Sequence, residues 1–282
     1  MKIAIQGGKA SFHDMAARLY FSGNDLTLLE CASFRELCRA VVKDRVEYAL
    51  MAIENTLVGS ILPNYSLLRE YPLTITGEVY LQIQHHLMAL PGQQLADITS
   101  VRSHPMALLQ CSEFLDRYPQ MRIVEGTDTA DSARDIHRGQ KKGVAAIASR
   151  LAADVYELDV MADHIANLQH NYTRFLVLSA SNIHSPDGNK ASINFRVDHS
   201  AGSLVRALGV LGEHGINLTQ IQSIAVPDHP HEYAFHVDLE WNDSADFEQA
   251  MRSFKEHTRR LNLLGIYKKG ERPYDSAAGQ AT

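Results

Sequence analysis

The sequence predicts an α/β protein in two parts. The first is a two-lobed α/β unit with a ligand cleft, and the second is a ferredoxin-like βαββαβ domain. Three observations carry this expectation. Through residues 1–182, strand-like and helix-like segments alternate, and hydroxyl and amide side chains recur at strand-to-helix corners, where open α/β sheets bind ligands. The alternating run Leu73–Gln84 is long enough to pass between two lobes. After a polar break at Asn182–Lys190, segments follow in the order β, α, β, β, α, β.

Length and composition agree. A chain of 282 residues exceeds the usual single domain. The net charge of −6, with both signs mixed along the chain, gives no electrostatic reason to expect nucleic acid or an anionic membrane as partner. The start MKIAIQGG turns polar too early for a signal peptide, and no apolar run approaches the roughly 20 residues of a membrane helix. A cytoplasmic enzyme or binding protein is therefore expected. Cys31, Cys38 and Cys111 have no pairing or CxxC spacing, so neither a disulfide framework nor a zinc site is predicted. His85-His86 and His229, His231 are scattered, and the HPH turn reads as a solvated loop. No metal and no cofactor are expected.

Taken in order, Lys2–Gln6 is an opening strand that Gly7-Gly8 ends, and Ser11-Phe12 enters a helix through Tyr20. The spacing is neither GxGxxG nor GxxxxGK[ST], which excludes dinucleotide and P-loop sites. Ser33 and Glu36 stand at capping-box spacing before a helix to Lys43, with Phe34, Leu37 and Val41 on one face. Tyr48–Ile53 is a buried strand that delivers Glu54-Asn55-Thr56 at its carboxyl end. Ser103-His104-Pro105 opens a helix through Cys111, with proline suited to the first turn and Ser103 or His104 as cap. Asp128-Thr129-Ala130 precedes another helix, Ser132–Arg138. Val144–Ser149 is a small-residue strand and Leu151–Tyr156 a helix. In HNYTRFLVLS, from His170 to Ser179, Asn171, Thr173 and Arg174 place an amide, a hydroxyl and a fixed cation at the mouth of a buried strand, Phe175–Leu178.

In the second part, Ser192–Val197 and Tyr233–Leu239 alternate as strands, Ile216–Val226 is extended and Leu263–Tyr267 closes the sheet. Gly202–His214 and Phe247–His257 are the helices, the first with Leu204, Leu208 and Leu211 on one face. From Lys268 the chain is polar and small, and 271–282 reads as a disordered tail.

With both parts read, the chain resembles the prephenate dehydratase family with its carboxy-terminal ACT regulatory domain. Thr173-Arg174-Phe175 resembles the family's TRF, Glu54-Asn55-Thr56 its ENS/ENT, and Ser103-His104-Pro105 through Cys111 its SHPQALAQC, with Met106 replacing glutamine. Asp128-Thr129-Ala130 and Ala146–Ser149 fit as well. Gly202-Ser203-Leu204-Val205 resembles the ACT motif GALV, and Gly215-Ile216-Asn217-Leu218 its GINL. Two departures stand out. The family's GPxGT/A first turn is here Gly7-Gly8-Lys9-Ala10-Ser11, and its ESRP is Gln222-Ser223-Ile224-Ala225.

The resemblance implies a periplasmic-binding-protein-like catalytic domain over 1–182 and an ACT domain over 190–270. It implies decarboxylating dehydration of prephenate to phenylpyruvate without a cofactor, with arogenate dehydration or non-catalytic sensing of a small anion as alternatives. It gives Thr173 as the catalytic donor to the departing hydroxyl, and Asn55, Thr56, Ser103, His104, Arg174 and Phe175 as substrate-binding residues. Arg174 is open between a carboxylate partner and a tie between lobes, and Glu54 is expected as a structural acceptor. Gly202, Leu204, Asn217 and Leu218 are the effector residues for L-phenylalanine, which the altered ESRP segment is expected to weaken. A homodimer or homotetramer is implied.

Overall fold

The computed structural model describes residues 1–226 and 232–272. The first lobe takes β1 (Lys2–Gln6), α1 (Phe12–Tyr20), β2 (Thr27–Cys31), α2 (Phe34–Val42), β3 (Tyr48–Asn55), β4 (Gly59–Ser60), α3 (Leu62–Glu70) and β5 (Thr74–Gln82). The second takes β6 (His86–Ala89), β7 (Ser100–Ser103), α4 (Pro105–Gln110), α5 (Ser112–Leu115), β8 (Arg122–Glu125), α6 (Thr129–Gly139), β9 (Val144–Ala148), α7 (Arg150–Val155) and β10 (Asp159–Ala162). The chain then returns to the first lobe as β11 (Tyr172–Ser179). The first sheet runs β2-β1-β3-β11-β5 with β4 on β3, and the second runs β10-β6-β9-β7-β8. Two separate sheets thus flank the cleft, and the chain crosses between them just after β5 and just before β11. The crossings run side by side, with the Ile83 amide donating to the Asn171 carbonyl at 2.7 Å.

Local chemistry explains the helix starts. Ser11, Ser33, His104, Asp128 and Ser149 each accept a backbone N–H of the first turn. The Asp128 cap starts α6 at Thr129, three residues before the expected Ser132. Several short elements escape periodicity: β2, β4, β6, β7, β8 and β10, and the helix α3, whose apolar positions are broken by Pro63 and Asn64.

The last part is a four-stranded sheet of β12 (Lys190–Arg196), β13 (Asn217–Ala225), β14 (Tyr233–Glu240) and β15 (Arg259–Tyr267), with helices α8 (Ser203–Glu213) and α9 (Ser244–Glu256). Its order, β13-β14-β12-β15, is that of the ferredoxin-like plan. Alternation sends Ile193, Phe195, Val237 and Leu239 into a core under the helices and turns Lys190, Ser192, His236 and Asp238, all buried, the other way, against the first lobe. Gly265 of β15 lies so close to β5 that a Cβ there would sit 1.9 Å from the Ile75 carbonyl oxygen. Ile224 and Tyr267 join the first lobe's own core.

The segment after Lys268, expected to be free, is held as far as Arg272. The Gly270 amide donates to Glu78 at 2.9 Å and Arg272 pairs with Glu240 at 2.6 Å. Residues 273–282 and the loop with His229 and His231 lie outside the described residues. Among those described, no helix is long and apolar enough to cross a membrane, and no cluster of three or more histidine, cysteine or acidic side chains is placed to hold a metal.

Candidate active site

An apolar cleft of about 580 Å³ opens between the lobes. Phe12, Phe34, Ile61, Ile83, Met106 and Phe175 form much of its wall. Its polar edge comes from Asn55, Thr173, His85, His104, Gln110, Asp128 and Thr129. No lysine or arginine is among the described residues lining it. The three ring systems do not supply a cation at neutral pH. Burial pushes His13 down to about 3 and His85 to about 4, and burial also lowers His104. Burial pushes the Asp128 carboxyl up to about 6, against the pull of the helix amides that it caps.

Thr173 lies on β11 where strand alternation turns it and Phe175 into the cleft. A register shift, which sets Arg174 opposite Glu54 and Phe175 opposite Ala52, interrupts the ladder here. The Thr173 hydroxyl oxygen accepts from Asn55 Nδ2 at 2.9 Å. The orientation of that amide is fixed because Asn55 Oδ1 accepts the Leu57 and Val58 amides at 3.0 and 3.1 Å. Thr173 is therefore left with its own hydrogen to donate. His104 caps α4 by accepting the Met106 amide at Nδ1, so in its neutral form the ring carries its proton on Nε2.

Three of the expected substrate contacts face elsewhere. Arg174 points from the opposite face of β11. Its guanidinium donates to Glu78 at 2.6 Å, to Asp238 at 2.5 Å and to the Tyr267 hydroxyl at 3.2 Å. It therefore joins the first lobe to the ferredoxin-like domain, with its guanidinium turned away from the cleft and towards that domain, not towards the second lobe. Ser103 is fully buried, and its hydroxyl donates to the Ile147 carbonyl at 2.6 Å. Thr56 is taken up by the Tyr172 amide and the His170 carbonyl, at 3.0 and 3.2 Å, and with Glu54 it lines a small cavity beside Arg174. The cleft keeps Asn55, His104, Thr173 and Phe175.

The seam holding Arg174 is ionic and buried. Lys190 donates to Glu78 at 3.0 Å, and Ser192 to Asp238 at 2.5 Å. Glu78 and Asp238 have no exposed side-chain surface. Burial alone would raise Asp238, but Arg174, His236 and Lys190 hold it well below the ordinary carboxylate range. The carboxylates in turn keep Arg174 firmly charged despite its burial.

Sequence reasoning singled out Asn171 only as an amide beside Thr173, and did not select Gln110, His85 or His13 as site residues. Gln110 was recoverable, since Met106, Ala107 and Gln110 share one face of α4 at helical spacing. His85 and His13 had no such signal, because their place depends on how the lobes meet. In the altered first turn Gly7 has φ 86° and Ala10 takes φ 66°, a left-handed conformation that favours glycine.

With this geometry in hand, comparison with known proteins decides the family. The family model described as prephenate dehydratase matches residues 3–183. The chain belongs to the prephenate dehydratase family. It is 34% identical over 271 residues to a bifunctional chorismate mutase/prephenate dehydratase of Escherichia coli K12, covering 94% of this chain and 70% of that one. It is 35% identical over 280 residues to an arogenate dehydratase/prephenate dehydratase of Arabidopsis thaliana, covering 95% and 72%. Among solved structures, GqqA, described as a novel type of quorum quenching acylase, superposes with a TM-score of 0.87 at 29% identity, over 98% of this chain and all of that one. A prephenate dehydratase of Arthrobacter aurescens in complex with L-Phe shares the fold, with a TM-score of 0.86 at 23% identity over 100% and 97%.

Proposed function

We infer that the chain catalyses the decarboxylating dehydration of prephenate to phenylpyruvate. The observation that carries this is the Thr173 hydroxyl, whose oxygen is held by Asn55 and whose hydrogen is free for the cleft. In the reaction the bond from the ring to its hydroxyl breaks. The bond to the ring carboxylate also breaks, and its electron pair enters the ring as carbon dioxide leaves. The departing oxygen takes up one proton and becomes water. Threonine is a very weak acid, so its contribution is a preorganised hydrogen bond that strengthens as charge builds on that oxygen. With no lysine or arginine among the described residues lining the cleft, the substrate carboxylates meet neutral donors such as His104 Nε2 and the Gln110 amide. Aromatisation drives the step, and Phe175 and the other apolar walls suit the ring. Incubation with prephenate, followed by the absorbance of phenylpyruvate, tests this directly; binding without turnover would leave a sensor of small anions instead.

The ferredoxin-like domain is read as an ACT domain on its GSLV and GINL segments. Gly202 and Leu204 stand at the start of α8, while Asn217 and Leu218 begin β13 after its far end. Eleven helical residues separate the two pairs by roughly 16 Å. A phenylalanine site using both is therefore built between two chains, which supports the homodimer or homotetramer reading. β13 is an edge strand of the sheet and offers its free side for such pairing.

Two other substrates are favoured by particular features. Asp128 is a carboxylate in a cleft without a cation, which suits the ammonium group of arogenate; the same assay with arogenate ranks it against prephenate. The broad apolar wall suits an acyl chain, as in an acylase, and release of free amine from an acyl-amide substrate reads out that activity.

A further inference from the structure

We propose that the ferredoxin-like domain completes the interlobe cleft: Gln220 of β13 is a positioning residue that holds the Ser60 hydroxyl as a donor to a substrate carboxylate. The inference rests on the dehydratase reading of the cleft.

Ser60 stands on a fixed backbone. It ends the two-residue strand β4, which pairs Ser60 with Glu54 and Gly59 with Asn55. The next amide, of Ile61, donates to the Ile53 carbonyl at 2.9 Å. Ser60 is half-buried and lines the cleft together with Asn55.

Its partner comes from the other domain. Leu218 of β13 packs against the core under the helices, and strict alternation would turn Gln220 there as well. The ladder with β14 shifts register between Leu218 and Gln220, and a bulge of this kind re-aims the side chain beyond it. Gln220 therefore faces the first lobe, as Ile224 does. Its Nε2 donates to Ser60 Oγ at 3.3 Å and to the Tyr65 hydroxyl at 3.2 Å. Tyr65, on α3, is buried, and burial pushes its phenol up to about 12, so it keeps its proton. Ser60 is the other hydrogen-bond neighbour of that phenol.

Ser60 Oγ thus has donors supplied from Gln220 and Tyr65, and its own hydrogen is the one left to give. A carboxylate in the cleft is the strongest acceptor for it, and donors on the oxygen polarise the O–H further. None of the described residues lining the cleft is a lysine or arginine, so a substrate anion depends on such neutral donors.

Two substitutions separate this role from a plain clasp between domains. Gln220→Leu removes the donor. Gln220→Glu keeps a side chain that can bond both hydroxyls, but only as an acceptor, so it draws the Ser60 hydrogen away from the cleft. Expected is a KM for prephenate raised about 3- to 10-fold in Gln220→Leu and at least as much in Gln220→Glu, with kcat within about threefold of the parent in both. Ser60→Ala should raise KM about 10-fold or more. The double variant Ser60→Ala/Gln220→Leu should match Ser60→Ala alone, because Gln220 acts through Ser60. A parent-like KM in Gln220→Leu or in Gln220→Glu would overturn the proposal, the latter leaving Gln220 as a clasp. Effects of Ser60→Ala and Gln220→Leu that multiply in the double variant would also overturn it. Should Gln220→Leu fail to fold by thermal melting, Gln220→Met, unbranched and without a donor, takes its place with the same expected KM. Turnover of prephenate by the unaltered enzyme tests the underlying reading separately: no turnover there removes that reading, whereas turnover with a KM indifferent to Gln220→Leu removes only this proposal.

Discussion

Thr173 and Arg174 are neighbours on one strand, yet they serve surroundings of opposite chemistry. Thr173 faces a cleft walled by aromatic and aliphatic side chains, with neutral donors and no lysine or arginine among its described lining. Arg174 faces a buried seam where two cations and two carboxylates are packed without exposed carboxylate surface. The difference teaches how one short motif does two jobs. A strand alternates its faces, so the hydroxyl lines the cleft while the guanidinium fastens the ferredoxin-like domain to the first lobe. Positive charge is kept where carboxylates match it, and none of the described residues lining the cleft is a lysine or arginine.

The comparison breaks most visibly at the seam. Arg174→Met leaves Glu78 and Asp238 buried without their main partner, and loss of one member of a buried pair costs about 3–5 kcal/mol. Urea unfolding should show a loss of that size, while KM in the folded fraction changes little. A large rise in KM with little loss of stability would return Arg174 to the substrate.

On the cleft side, the sharpest probe is pH. Asp128 titrates at about 6 because burial disfavours its charged form. Below that pH it is neutral and no longer repels a dianion, so KM for prephenate should fall as pH drops from about 7.5 to 5.5. Repulsion of ~1 kcal/mol between partly solvated charges makes this roughly fivefold. Asn is an equally good helix cap, so Asp128→Asn should fold normally and show a low KM without that pH dependence. A slope unchanged in Asp128→Asn would assign it to another group.

A further expectation is regulatory. Where the family has ESRP, the Gln222 side chain donates to the Ser223 carbonyl and Ile224 is buried against the first lobe. The segment packs domains together and offers neither carboxylate nor guanidinium to an amino acid. Losing one or two charge-assisted bonds weakens binding about tenfold to several hundredfold. Titration of phenylalanine against initial rate should therefore show weak inhibition; half-inhibition at low micromolar concentration would show that backbone groups compensate.

Much of this was legible in the sequence, for identifiable reasons. The ferredoxin-like half shows because Ile193/Phe195 and Val237/Leu239 alternate cleanly over one buried face. Thr173, Asn55 and His104 show because they belong to local motifs at strand or helix ends. Arg174 was misplaced because nothing local reveals which face of β11 meets water, ligand or another domain. Ser103 and Thr56 were misplaced for a related reason: a hydroxyl near a site is as readily consumed by a backbone carbonyl, here Ile147 and His170. Lys190, at the end of an apparent linker, became a buried partner of Glu78 only through domain docking.

The central claim is that Thr173 acts through its hydroxyl on the departing oxygen. The direct measurement is steady-state turnover of prephenate by Thr173→Ala and Thr173→Ser beside the parent enzyme. A bond that strengthens mainly in the transition state predicts that alanine lowers kcat by about 100-fold or more with KM nearly unchanged. Serine, which keeps the hydroxyl against Asn55, should stay within about tenfold of the parent. An alanine variant that keeps most of its kcat would contradict the account.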